Sequence, residues 1–161
     1  MTGDPAELVR TKLRSMLSYL DELEGDLPAS LSDYLNAGRV LHRFVERVSQ
    51  IVVECSTDAN GFLLDMLGQP PPTSARGGVD GVHKHNAISD ATHRRFWGTF
   101  VGFRNRLVHD YEALDDRIVH HTAHLLLEHG RQYVAEVTDY LDREGWEPDR
   151  GTGCETPADS G

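Results

Sequence analysis

Lysine is nearly absent from this chain. Lys12 and Lys84 are the only two among 161 residues, beside 14 arginines, and 26 acids leave a formal net charge of -10. That balance excludes a protein that binds nucleic acid by covering it with broad positive charge. Cysteine is scarce too: Cys55 and Cys154 alone exclude a disulfide framework and a four-cysteine zinc site. No apolar run approaches the roughly 20 residues of a membrane helix, and no signal-peptide pattern opens the chain, so the expectation is a cytoplasmic protein with no membrane contact. Strand-period alternation is missing as well. At 39% hydrophobic residues the chain can build one domain only if its apolar positions are well patterned.

They are patterned with a helical period. Leu13, Met16, Leu17, Leu20 and Leu23 recur at three- and four-residue steps, Pro5 suits a first turn, and Gly25 with Pro28 ends the run. Ser30 or Ser32 then caps a much longer second helix, with Tyr34, Gly38, Leu41, Val45, Val48, Val52, Cys55, Ala59, Leu63 and Met66 on its apolar side. Residues 68–88, rich in Gly and Pro, read as a long flexible loop. Ser89 or Asp90 caps a third helix through Phe96, Phe100, Val101 and Leu107, and Asp115 caps a fourth through Leu126, Tyr133, Val137 and Leu141. Residues 143–161 read as an acidic disordered tail. The fold class is all-α: an antiparallel bundle of four main helices within a domain over residues 1–142.

Net charge conceals a local field. Residues 1–65 carry 11 acids and 6 bases, residues 66–109 carry 2 acids and 6 bases, and residues 110–161 carry 13 acids and 4 bases. Within residues 91–109 stand Arg94, Arg95, Arg104 and Arg106 and no acid. These arginines either pair with neighbouring acidic helices or form a local anion site, for which the planar guanidinium fork suits phosphate.

That basic helix closes on Arg104-Asn105-Arg106-Leu107-Val108-His109-Asp110-Tyr111. The stretch RNRLVHDY resembles the signature of HEPN-domain proteins, an Arg, a polar residue and a His five positions after the Arg. The fuller Arg-x4-His-x-Tyr resembles the HepT toxins. The run RFVERVSQIVVECSTDANGFLL on the second helix is similar to the HepT pattern, with Gln50, Glu54 and Asp58 in its polar places. The likeness spans about residues 6–141 and weakens in the Gly/Pro-rich segment.

The resemblance implies a HEPN-like fold and the toxin of a type VII toxin–antitoxin system: an endoribonuclease, homodimeric, needing no metal and no cofactor. Its implied partner is an MntA-like minimal nucleotidyltransferase, which silences the toxin by attaching AMP to the position of Tyr111. Arg104 and His109 are then the catalytic pair, Asn105 and Arg106 bind or orient substrate, and RNA is the substrate. The chemistry agrees with the residue types. A permanent guanidinium steadies charge building on a phosphate, and an imidazole titrating near neutrality moves the 2′-hydroxyl proton. On an unbroken helix Arg104 and His109 lie roughly 140° apart around the axis, so convergence needs a bend, a helix end, or two chains meeting about a two-fold axis.

Arg47, Gln50, Glu54 and Asp58 form a polar stripe that either faces solvent or meets the basic helix, where Glu54 or Asp58 would orient Arg104 or another arginine. Arg39, Arg43 and Arg47 read as a solvated row or a modest RNA-backbone contact. His120 and His124 have the i,i+4 spacing of helical zinc ligands, but no Cys or Glu completes the set, and His121, His124 and His129 read as lysine replacements on a polar face. Cys55 falls on the apolar stripe. Two rivals remain: a non-catalytic nucleotide- or substrate-binding subunit of the transferase, and a plain helical interaction module.

Overall fold

Asp4 starts the first helix, α1 (Pro5–Asp26), by accepting the Ala6 N–H at 3.1 Å, with Pro5 in the first turn where no intrahelical donor is required. In this computed structural model, which describes residues 3–109 and 114–145, every element is helical. The helix α1 buries Val9, Leu13, Met16, Leu20 and Leu23 and ends two residues beyond the point expected from Gly25.

The long second helix is two helices. Ser30 caps α2 (Leu31–Asn36) by accepting the Asp33 N–H, then Ala37 and Gly38 are extended, and Gly38 begins α3 (Arg39–Met66). Gly38 fits an apolar helical spacing, but a glycine inside a helix costs about 1 kcal/mol and favours a break. The break turns α2 so that the buried Tyr34 ring packs near His42 and His120, at 4.5 and 5.2 Å between centroids.

The segment 68–88 is not simply a loop. Ser74 accepts the Gly77 N–H and caps α4 (Ala75–Lys84), a ten-residue helix laid on α3. Its glycines are contact residues: a Cβ on Gly81 would lie 2.9 Å from Leu64 Cδ1, and Gly78 is buried against Asn60 and Pro72. Low helix propensity conceals such an element from periodicity, because its packing depends on absent side chains.

Ser89 is the cap of the basic helix, which runs as α5 (Asp90–Arg95), a π-helical turn (Phe96–Phe100) and α6 (Val101–His109). The π turn is closed by the Val101 N–H reaching the Phe96 carbonyl. Asp115 caps α7 (Asp116–Arg143) by accepting the Arg117 N–H. Ion pairs fix the directions: Arg10 with Asp142, and Arg131 with Asp21 and Glu24, run α1 and α7 antiparallel. Tyr133 donates to Asn60 Oδ1 at 2.6 Å while His42 approaches Asp116, so α3 and α7 run parallel, as second and fourth helices of an up-and-down bundle do.

Cys55 is a core residue, and burial raises its thiol pKa. His124 is not a lysine substitute: both it and His120 reach the Pro28 carbonyl, at 3.1 and 2.8 Å, and tie α7 to the α1–α2 turn. Tyr111, Asp110, Cys154 and the tail beyond residue 145 lie outside the described residues. Among the described residues no helix is long and apolar enough to cross a membrane.

Candidate functional site

Arg104 is the first site residue whose position the fold explains. It projects from α6 toward α3, where Glu54 Oε1 accepts from its Nε at 3.2 Å and its Nη2 at 2.9 Å. Gln50, one turn earlier on α3, donates to the same oxygen at 2.9 Å. Burial alone would push the Glu54 carboxyl up. The hydrogen bonds from Gln50 and Arg104, with the charges of Arg104 and Arg47, outweigh it and hold the group below the usual carboxylate range. Glu54 is therefore an anion at neutral pH and fixes one edge of the guanidinium. Arg104 Nη1 leans toward Asn105 Oδ1 at 3.5 Å.

Between α3, α4 and α6 lies an open cleft of about 440 Å³, with Glu54, Asp58, Thr57, Arg104 and Asn105 as its polar lining and Ala75 of α4 at its edge. A second hollow of about 370 Å³ shares Thr57 and Asp58 and continues toward Pro71 and Pro72. The polar stripe on α3 thus faces the basic helix. Of the two carboxylates offered as partners for an arginine, Glu54 is the one that meets Arg104, whereas Asp58 pairs with Lys12 of α1 at 3.0 Å. Lys12 gains proton affinity from this bond.

His109 is the last residue of α6 and is exposed. The π turn precedes both Arg104 and His109, so it leaves their relative phase unchanged, and on α6 the two positions stand roughly 140° apart around the axis. Arg106 is exposed on the same helix, and Arg39, Arg43 and Arg47 are solvated. Tyr111 falls outside the described residues.

Several contacts are invisible in the sequence pattern because α4 is. Arg76, on its first turn, donates from Nε to the Trp97 carbonyl in the π turn at 3.0 Å, and its guanidinium lies 5.0 Å from the Trp97 ring centroid. A Cβ on Gly102 would come within 3.4 Å of Arg76 Nη2, so the glycine leaves the space this arginine fills. A glycine two residues before Arg104 was the only local signal. His83 and His93 stack at 4.3 Å between centroids and bond to Asp90 and Asp80. No group of three or more His, Cys, Asp or Glu among the described residues is arranged to hold a metal ion.

The HepT-like ribonuclease profile matches residues 16–137, a span running from α1 to the last turns of α7 and including the whole cleft. The chain belongs to the HepT-like ribonuclease family. A curated relative, the tRNA nuclease HepT of Aphanizomenon flos-aquae (strain 2012/KM1/D3), is 26% identical over 141 residues, covering 88% of this chain and 95% of the relative. A crystal structure of a toxin–antitoxin with AMP-PNP superposes with a TM-score of 0.73 at 19% identity, over 83% of this chain and 98% of that one. The tri-AMPylated Shewanella oneidensis HEPN toxin in complex with its MNT antitoxin gives 0.72 at 19% identity, over 86% and 99%. The cytosolic protein YutE of Bacillus subtilis gives 0.69 at 16% identity, over 84% and 92%. These three establish that the chain shares their all-helical fold, and its family is one of HepT-like ribonucleases.

Proposed function

We propose that this HepT-like chain cleaves RNA, with tRNA as the substrate class suggested by its curated relative, at the Arg104 cleft and without a metal ion. The observation that carries the reading is the placement of Arg104: a guanidinium held by Glu54 at the mouth of a 440 Å³ cleft, on a helix with no acid over residues 91–109. A scissile phosphate seated there meets permanent positive charge whose orientation is already set, so charge building on its oxygens is stabilised without reorganisation.

His109 takes the proton from the ribose 2′-hydroxyl. The 2′-oxygen attacks phosphorus, the bond to the 5′-oxygen breaks, and that oxygen leaves with a proton. The products are a 2′,3′-cyclic phosphate and a 5′-hydroxyl end, with no water consumed. Because Arg104 and His109 diverge within one chain, the working site is a cleft between two chains about a two-fold axis, and Asn105 and Arg106 line it to bind or orient the RNA. Tyr111 accepts AMP from an MntA-like nucleotidyltransferase. The added phosphate brings negative charge and bulk that oppose binding of the RNA phosphate.

The experiment is cleavage of a defined tRNA by the purified chain in EDTA, with end groups read by mass spectrometry. A cyclic phosphate with a 5′-hydroxyl supports the reading; cleavage only on adding a divalent ion, or 5′-phosphate ends, contradicts it. A second reading, a non-catalytic subunit that presents a ligand to the transferase, draws on the same ion pair, since Glu54 already occupies one edge of Arg104. Oligonucleotide binding without cleavage under all salts supports that reading.

A further inference from the structure

Trp97 is 43% exposed although Arg76 covers one of its faces, an unusual position for the largest apolar side chain. The other exposed large hydrophobic residues among the described ones, Leu17, Leu31, Leu35, Val40 and Ile118, lie on α1, α2, the start of α3 and the start of α7. Trp97 therefore does not belong to an apolar patch of the kind that receives a protein partner.

Its setting is instead cationic and prearranged. Arg76 anchors the ring from below, with Nε on the Trp97 carbonyl at 3.0 Å and the guanidinium 5.0 Å from the centroid, so Trp97 needs little ordering to receive a ligand. A Cβ on the neighbouring Gly98 would meet nothing within 4 Å, so the approach to that stretch is open. The two acids that precede it most closely in sequence, Asp80 and Asp90, are hydrogen-bonded to His93 and His83, and Arg94 and Arg95 precede the ring on the same helix. Arg76 follows Ala75 at the cleft edge, and Arg104 stands seven residues beyond Trp97, about 10 Å along the axis.

An aromatic face, a cation behind it and a phosphate-binding arginine one short step along the same rod form the combination that single-stranded RNA requires. We propose that Trp97, backed by Arg76, is a nucleobase-stacking platform that holds an unpaired base of the RNA near the phosphate seated at Arg104. It rests on the reading of the cleft as an RNA site, and it assigns the substrate a locally single-stranded segment there.

The test uses the full chain with Trp146→Phe, which leaves Trp97 as its single tryptophan. The probe is a labelled, non-cleavable 2′-O-methyl oligonucleotide. Saturable quenching of Trp97 fluorescence is expected. Kd by anisotropy should rise about tenfold in Trp97→Leu and stay within about threefold of the parent in Trp97→Phe. KM for cleavage should follow Kd. Binding without quenching, an unchanged Kd in Trp97→Leu, a loss that Phe does not restore, or no oligonucleotide binding overturns the proposal. So does a change of oligomeric state in Trp97→Leu, which would make this face a protein contact. Quenching and a Kd shift in a chain that cuts no RNA uphold the platform and reject the nuclease reading. Cleavage indifferent to Trp97 does the reverse.

Discussion

Arg104 and Glu54, fifty residues apart in sequence, share one oxygen: Glu54 Oε1 accepts from both Nε and Nη2 of Arg104, at 3.2 and 2.9 Å, and from Gln50 as well. The carboxylate sets the direction in which the guanidinium presents its remaining donors. In Glu54→Gln the volume is conserved but the anion is lost. Cleavage kcat/KM should fall roughly 10- to 100-fold through misplacement of Arg104. Because both side chains are about one-third exposed, Tm should move little. Steady-state kinetics beside thermal melts check this, and a large Tm loss with unchanged kcat/KM contradicts it.

The same pair predicts a direction with pH. Glu54 titrates below the usual carboxylate range in the folded protein, so its contribution is complete above that range and is lost as pH falls through the depressed value. Glu136 behaves alike: burial opposes its ionisation, but the Ser89 N–H and hydroxyl, Gln132 and Thr92 all donate to it, and the net shift is downward. Acid unfolding followed by circular dichroism should therefore be shallower in Glu54→Gln and in Glu136→Gln than in the wild type. Neither variant should alter the slope of stability with pH near neutrality.

Packing of α4 on α3 depends on Gly81. Valine there would put its Cβ 2.9 Å from Leu64 Cδ1 in a site where Leu64 is buried, at a cost of about 1–3 kcal/mol. Chemical denaturation of Gly81→Val should show that loss. Since α4 carries Ala75 at the cleft edge and Arg76 against Trp97, KM for RNA should rise in the same variant.

Control by the partner transferase is predicted to reside in Tyr111. Tyr111→Phe should cleave RNA like the wild type and resist silencing by the transferase with ATP, followed as residual cleavage and as intact mass. Undiminished silencing of the Phe variant would place the acceptor elsewhere.

The helical class, the cap Asp115, the start of the basic helix at Ser89 or Asp90 and that helix's charge were legible in the sequence, since each rests on local spacing and local charge. So was the polar stripe of α3, whose partner became visible only when α6 was laid across it. What escaped was hidden by glycine. Gly38 reads as a small apolar position and is a helix start, while Gly78 and Gly81 read as loop and are the contact face of α4. Missing α4 meant missing Arg76 and its hold on Trp97. The π turn left no mark in the sequence either, because its apolar content matches an ordinary helix and the residues flanking it, Arg95 and Val101, keep helical dihedrals.

The central claim is that the Arg104 cleft, completed by His109, is where RNA is cut. The most direct test is the cleavage rate of the wild type beside Arg104→Ala and His109→Ala, in EDTA and at matched oligomeric state. A loss of at least about 100-fold in both variants, with the folded structure retained, is the predicted result. Equal rates in all three proteins would contradict it.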